Sequence, residues 1–137
     1  MERSYSYSYS YSSSSDSNNQ FDTETTVNGR SLRFRSIELP NSEGIELIVN
    51  GQQSGLVHYI TKGDLVTLKQ YVVEKGYNTC FLRFMTEYFI NRGLRNIDMY
   101  IKSKNATDKL NFWIGRGFRA LGETNTHIHL GAKLSIN

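Results

Sequence analysis

The sequence predicts one small α/β (α+β) domain with a mixed sheet, residues 21–137, behind a disordered Ser/Tyr-rich tail, residues 1–20. Three observations carry this. Across the first half of the body, alternating polar and apolar residues are broken by turn residues, which reads as an antiparallel meander. From Phe81 to Ile90 the apolar period changes to the three-and-four spacing of a helix. After Gly93 a strand, a short helix and two closing strands complete a β-α-β-α-β order.

The tail reads MERSYSYSYSYSSSSDSNNQ and holds no Val, Ile, Leu or Phe. It cannot bury enough apolar surface to offset its ordering entropy. It is either a passive solubilising tail or a phosphorylation or interaction segment. About 115 residues remain, enough for one core without disulfides or metal. Cys80 is the only cysteine, so no intrachain disulfide exists. No apolar run approaches the roughly 18 residues that a membrane span needs. The N-terminus lacks an apolar signal core, so the expected setting is cytoplasmic or nuclear. The head is also Ser-rich and acid-poor, as transit peptides are, but it carries a single Arg.

The net charge is +3, with the tail contributing −1 and the body +4. That surplus suits an anionic cofactor or partner. No basic stripe interleaved with aromatics is present, so no nucleic-acid partner is expected.

Taken in order, residues 21–30 are polar and read as a loop. Ser31 to Leu39 alternates as a half-buried strand, ended by Pro40 and Asn41-Ser42-Glu43-Gly44. Ile45–Val49 is a second strand, and Asn50-Gly51 favours the positive φ values of a tight hairpin turn. Gly55–Ile60 returns, Lys62-Gly63-Asp64 turns, and Leu65–Val73 is a β-rich fourth strand. Gly93, with Arg92 in the last turn, ends the helix. Ile97–Ile101 is then a strand, and strand–helix–strand is the crossover of a parallel pair. A second helix starts near Asn105, with Asp108 three residues on, and stops at Gly115 and Gly117. Phe118–Leu121 and Thr126–Leu130 close the fold.

Two pieces of this order resemble the acyl-CoA-binding half of the GNAT superfamily of N-acetyltransferases, over roughly residues 43–130. One is Tyr71-Val72-Val73-Glu74-Lys75-Gly76-Tyr77-Asn78, which joins a strand to an amphipathic helix. The other is Phe112-Trp113-Ile114-Gly115-Arg116-Gly117-Phe118, which ends a short helix and enters a strand. In that family the strand-to-helix turn reads Arg/Gln-x-x-Gly-x-Gly/Ala, and its N–H groups point at the pyrophosphate of acetyl-CoA. Gly76 fits the central glycine, Asn78 stands where Gly or Ala is usual, and Val73 replaces Arg or Gln. Asn tolerates positive φ, so the turn accommodates it. The resemblance implies a cofactor set of Tyr71, Val72, Val73, Lys75, Gly76, Tyr77, Asn78 and Thr79. Tyr71 and Val72 would face the thioester carbonyl, and Lys75 would add charge for the phosphates. Asn105 and Trp113 complete the set.

The likeness has departures. Trp113 stands where the family often places a tyrosine acid, and an indole N–H is no acid near neutral pH. Asn105 matches the family's cofactor-facing polar residue with a spacing one residue too long, and it reads equally as a helix N-cap. The family opens with a strand and two helices that wall the acceptor, whereas residues 21–40 have room for one strand. The implied activity is acetyl transfer from acetyl-CoA to an amine of a protein or small molecule, by direct attack. The alternative is a catalytically degenerate module for protein interaction.

Amine attack needs a base. His58 and Glu74 are the candidates, His58 because a reference pKa of about 6.5 suits proton transfer. Glu46, also on a central strand, reads as a solvated or core-edge charge, as His58 and Glu74 do. His127 and His129 share one strand face, but two His without a third ligand make a weak site, so no metal is expected. Cys80 is either a buried structural thiol or one with a pKa lowered by the helix start. The open edge of the meander would support a homodimer.

Overall fold

The computed structural model describes residues 20–135. The expected tail therefore lies outside the described residues, apart from Gln20. Ten elements follow in order: β1 Asp22–Val27, β2 Arg30–Leu39, β3 Ser42–Val49, β4 Gln52–Lys62, β5 Leu65–Val73, α1 Asn78–Asn91, β6 Asn96–Lys102, α2 Thr107–Ile114, β7 Arg119–Glu123 and β8 His127–Lys133. The eight strands hydrogen-bond in the order β1-β2-β3-β4-β5-β6-β8-β7. β1 to β3 are antiparallel, β5 and β6 are parallel, and β8 enters antiparallel between β6 and β7. Among the described residues no helix is long and apolar enough to cross a membrane.

Residues 21–30, expected as a loop, hold the strand β1. Its buried positions are Thr23, Thr25 and Val27, and its exposed ones Asp22, Glu24 and Thr26. The period-two alternation is there, but two of three inward residues are threonines, so apolar periodicity does not show it. Asn28 and Gly29, at φ 53° and 77°, turn β1 into β2 as Asn50 and Gly51, at 52° and 78°, turn β3 into β4. Both pairs have the two positive φ values of the hairpin turn that matches strand twist. Residues 21–40 thus hold two strands where room for one was expected.

Two compact units share the chain. The first comprises the described residues to His58 with Gln70–Phe81, and the second Tyr59–Lys69 with the described residues from Leu82. In the first, Leu32 and Phe34 of β2 and Ile45 and Leu47 of β3 are buried. Phe81 packs on this layer, its ring 6.1 Å from that of Phe34. Gly55 makes room for it: a Cβ there would stand 3.1 Å from Phe81 Cδ2 and 3.3 Å from Leu47 Cβ. Burying a ring of this size stabilises by about 2–3 kcal/mol.

Glu46, expected as a solvated or core-edge charge, is buried on β3. Arg35 lies opposite it in the ladder. Arg35 Nε donates to Glu46 Oε1 at 2.8 Å, its Nη2 donates to the same oxygen, and Gln53 Nε2 donates to Oε2 at 2.8 Å. A carboxylate with both oxygens engaged is tolerated away from water.

In the second unit Val66, Leu68, Ile97, Met99 and Leu130 form the buried layer, and Phe84, Met85 and Phe89 of α1 are buried. Both helices end alike. Gly93 N–H donates to Ile90 O and Leu94 N–H to Phe89 O, with Gly93 at φ 86°. Gly117 N–H donates to Ile114 O and Phe118 N–H to Trp113 O, with Gly117 at φ 97°. This is the Schellman ending, in which the residue after the glycine packs on the residue five before it. The pairs are Leu94 with Phe89, both buried, and Phe118 with Trp113, whose rings are 5.2 Å apart. The aromatic-x-x-x-Gly-Phe pattern is therefore a helix stop with its apolar clasp. Asn105 is not the N-cap. Ala106 occupies that position without a side-chain cap, and Asn105 sits one residue earlier at φ 57°.

Candidate functional site

The turn that leads from β5 into α1 belongs wholly to the first unit. Glu74 N–H donates to Ser54 O at 2.9 Å, which seats the end of β5. Tyr77 N–H donates to Glu74 O at 3.1 Å and closes a four-residue turn with Lys75 and Gly76 at its centre. Gly76 has φ 101°, the third position of a type II turn, where glycine is favoured. Nothing lies within 4 Å of where its Cβ would stand, so the glycine is there for φ and for open approach. Phe81 N–H donates to Tyr77 O and begins the helical ladder.

Among the described residues, the N–H groups of Gly76, Asn78 and Thr79 carry no backbone acceptor. The first turn of α1 has no acidic residue. Such a helix start holds exposed donors and positive potential that nothing in the first turn offsets. Asn78, where the family has Gly or Ala, uses its side chain inward: Tyr71 Oη donates to its Oδ1 at 2.8 Å. Tyr71 also meets Phe81 edge-on, with centroids 5.8 Å apart.

Beside the turn lies a pocket of about 410 Å³, lined by Val27, Arg30, Leu32, Gly76, Tyr77 and Thr79 among others. Arg30 enters it from the β1–β2 hairpin and donates from Nη1 to Tyr77 Oη at 2.7 Å. Sequence reading missed this cation, because it belongs to a hairpin that was not expected. The Asn28-Gly29 pair was the signal that could have found it. Cys80 is buried at the pocket wall, and its Sγ donates to Tyr77 O at 3.2 Å. Burial pushes its thiol pKa up, against smaller opposite effects of the Cys80 and Phe81 N–H groups. Of the two readings of Cys80, the structure holds the buried thiol.

The remaining candidates are placed as follows. Val72, Glu74 and Lys75 are exposed, and Val73 is half-buried. His58 is half-buried over Gly44, where an added Cβ would stand 3.2 Å from His58 Cδ2. In the second unit Asn105 is exposed and Trp113 is buried between Phe112 and Phe118, 4.9 and 5.2 Å from their rings. The parallel β5–β6 ladder runs from the pair Leu65–Asn96 to the pair Leu68–Met99, and each strand continues past it, to Val73 and to Lys102. Among the described residues no three His, Cys, Asp or Glu side chains could together hold a metal ion.

With this geometry in hand, the fold can be placed. The chain has the fold of the GNAT N-acetyltransferases. It is similar to the PaiA N-acetyltransferase of Thermoplasma acidophilum in complex with coenzyme A, with TM-score 0.58 and 12% identity, over 66% of this chain and 59% of that one. It is similar to the ribosomal-protein-S18-alanine N-acetyltransferase of Escherichia coli, with TM-score 0.58 and 16% identity, over 73% of this chain and 74% of that one. An acetyltransferase of the GNAT family from Streptococcus pneumoniae gives TM-score 0.55 and 16% identity, over 69% and 68%. The match thus spans less than two thirds of the Thermoplasma protein's own length. No family model and no curated protein sequence matches the chain.

Proposed function

We propose that this protein is an N-acetyltransferase that binds acetyl-CoA at the turn from β5 into α1 and passes the acetyl group to an amine. The observation that carries the reading is the set of N–H groups at Gly76, Asn78 and Thr79 that have no backbone acceptor among the described residues, on a fold whose solved neighbours include a coenzyme A complex. The residues present fit the group. Gly76 leaves the backbone open, the first turn of α1 has no carboxylate, and Arg30 and Lys75 supply cations. Acetyl-CoA supplies an acetyl group activated as a thioester.

In this reading the N–H groups of the turn and the first turn of α1 hold the pyrophosphate, with Arg30 and Lys75 as counter-charges. The backbone of Tyr71 and Val72 orients the thioester carbonyl. The amine attacks directly, with no covalent enzyme intermediate, and His58 or Glu74 is available as a base. Trp113 is buried in aromatic contacts and supplies no proton, so the thiol proton comes from elsewhere. Isothermal titration with acetyl-CoA tests the reading. Saturable heat with a matching thermal shift is expected, and neither at millimolar cofactor would overturn it.

A second reading is a binding module that keeps the fold without turnover. The buried Trp113 and the β1–β2 hairpin, which occupies the stretch where the family has its two helices, favour it. Acetyl-CoA binding without thiol release across a broad amine panel would select this reading.

A further inference from the structure

Charge is divided unevenly between the two units. Among the described residues the first has four Lys and Arg against six Asp and Glu, and the second eleven against five. The surplus of the body therefore belongs to the second unit, at a formal +6, while the first is at −2. Such asymmetry suits a polyanionic partner.

Register gathers part of this charge on one face of β6, β8 and β7. The ladders set Tyr100 opposite His129, Lys102 opposite His127, and both Asp98 and Arg119 opposite Gly131. Residues opposite one another in an antiparallel ladder share a face. Lys133, two residues on from Gly131, shares it by strand period. Leu121 leans onto the same face, because its Cδ1 stands 2.5 Å from where a Gly131 Cβ would be. Glu123 pairs with Ile128 and faces the other way. The face is open: Tyr100 and Leu121 are 57% and 54% exposed, and Lys102, Arg119 and Lys133 are exposed. Among the described residues none of these three cations has a side-chain partner. The one carboxylate that the three strands place here, Asp98, is buried and engaged by Thr67 Oγ1 at 2.6 Å and His129 Nε2 at 2.8 Å. It does not offset the cations toward solvent.

The tyrosine is held in position. Its ring stacks on His129, centroids 4.3 Å and planes 6° apart, and His129 is itself tied to Asp98. One face of the Tyr100 ring is taken by the imidazole, so its exposure belongs to the other face and the edge. We infer that this surface binds a single strand of RNA or DNA, with phosphates on Lys102, Arg119 and Lys133 and a base stacked on the open face of Tyr100. An acidic peptide would use the cations and leave the ring without a role. A bilayer surface needs more apolar area than one tyrosine and one leucine present. A single strand uses both features, since every base has a π-face and every link a phosphate. Lys133 lies opposite Asn96, and from there to Lys102 along β6 is roughly 20 Å, room for a few nucleotides. The three cations come from three strands, which is why the sequence shows no basic stripe. Nothing in this surface draws on the turn at Gly76.

Fluorescence anisotropy of the full chain with labelled oligo(U) and oligo(dT), each roughly 12 nucleotides long, tests the site. Saturable binding is expected at low salt, with log K falling against log salt at a slope of about −2 for three phosphate contacts. Lys102→Ala should reduce that slope by about 0.7. Tyr100→Ala should weaken binding roughly 10-fold, and Tyr100→Phe, which keeps the ring, should bind as the wild type does. Arg83→Ala removes one charge from α1 instead and should leave affinity and slope unchanged. A preference for either oligonucleotide supports the site and names the natural strand. Absence of binding to both overturns the inference. Equal losses in Lys102→Ala and Arg83→Ala, with Tyr100→Ala unchanged, overturn it too, since diffuse charge behaves that way. Polyglutamate or phosphatidylserine vesicles bound more tightly than either oligonucleotide, with the same dependence on Lys102, would overturn it in favour of an acidic protein or a membrane.

Discussion

The Tyr71 hydroxyl donates to the side-chain oxygen of Asn78 at 2.8 Å, so the last residues of β5 are tied to the first residue of α1 across the turn at Gly76. The bond spans the passage that carries the proposed cofactor turn. It holds the mouth of the turn at a set width, and it occupies the one side chain that departs from the family's small residue. Tyr71→Phe keeps the ring contact with Phe81 and removes only this bond. A loss of about 1 kcal/mol in urea unfolding is expected. Acetyl-CoA affinity should fall with it, because the amides lose their fixed spacing. Unchanged stability would show that the turn does not depend on the bond.

Gly76 and Gly55 are glycines for different reasons, and alanine should separate them. At Gly76 the φ of 101° disfavours a side chain although space is free, so Gly76→Ala should cost about 1–2 kcal/mol. Gly76→Asn should cost less. At Gly55 the backbone is unremarkable but Phe81 and Leu47 are in the way. Gly55→Ala should cost about 1–3 kcal/mol through overpacking, and Phe81→Leu in the same chain should return part of it. Chemical denaturation of the four variants checks the contrast.

Arg35 holds the carboxylate of Glu46 on β3 with two donors. Arg35→Leu leaves Glu46 buried with Gln53 as its remaining hydrogen-bond partner among the described residues, at a cost of about 2 kcal/mol. Adding Glu46→Leu should recover most of that, since the uncompensated charge rather than the lost pair carries the cost. A double variant no more stable than Arg35→Leu would contradict this.

Cys80 gives a pH dependence of definite sign. Burial raises its pKa, so the folded state binds the thiol proton more tightly than the unfolded chain does. This contribution is fully present below the unfolded thiol value. It is lost as pH rises through the folded one, so stability should decline on the alkaline side, and Cys80→Ala should flatten that decline. Native Cys80 should react slowly with iodoacetamide at pH 8 and quickly in denaturant.

Asp22 works in the opposite direction. The Arg33 side chain, donating at 2.8 and 2.5 Å, holds its carboxyl below the usual value. Its contribution is present above the unfolded carboxyl value and lost as pH falls through the folded one. Both side chains are half-exposed, so Asp22→Asn should alter only the acid limb of the stability curve, slightly and less at high salt.

How much of this was legible depends on what each residue signals locally. The helix stops at Gly93 and Gly117 were, because a Schellman ending is written within six residues and its glycine is stereochemically required. The turn at Gly76 was, for the same reason. Asn50-Gly51 was read as a hairpin, while Asn28-Gly29 passed as loop because Thr23 and Thr25 hid the alternation that would have framed it. Asn105 met every local rule for a cap and is not one, since the backbone turns into the left-handed region one residue too early.

From β2 onward, the sequence by itself determined the order of strands and helices, the meander, the parallel crossover and the place of the strand-to-helix turn. Each of these follows from periodicity and from glycine stereochemistry, which act over a few residues. Only the tertiary structure decided that Arg30 reaches Tyr77 from 47 residues away and that Glu46 is buried with Arg35. It alone inserted β8 between β6 and β7, which brings His129 to Asp98 and Tyr100 across 31 and 29 positions of chain. Register between distant strands is set by how whole faces pack, and no short stretch of sequence contains it.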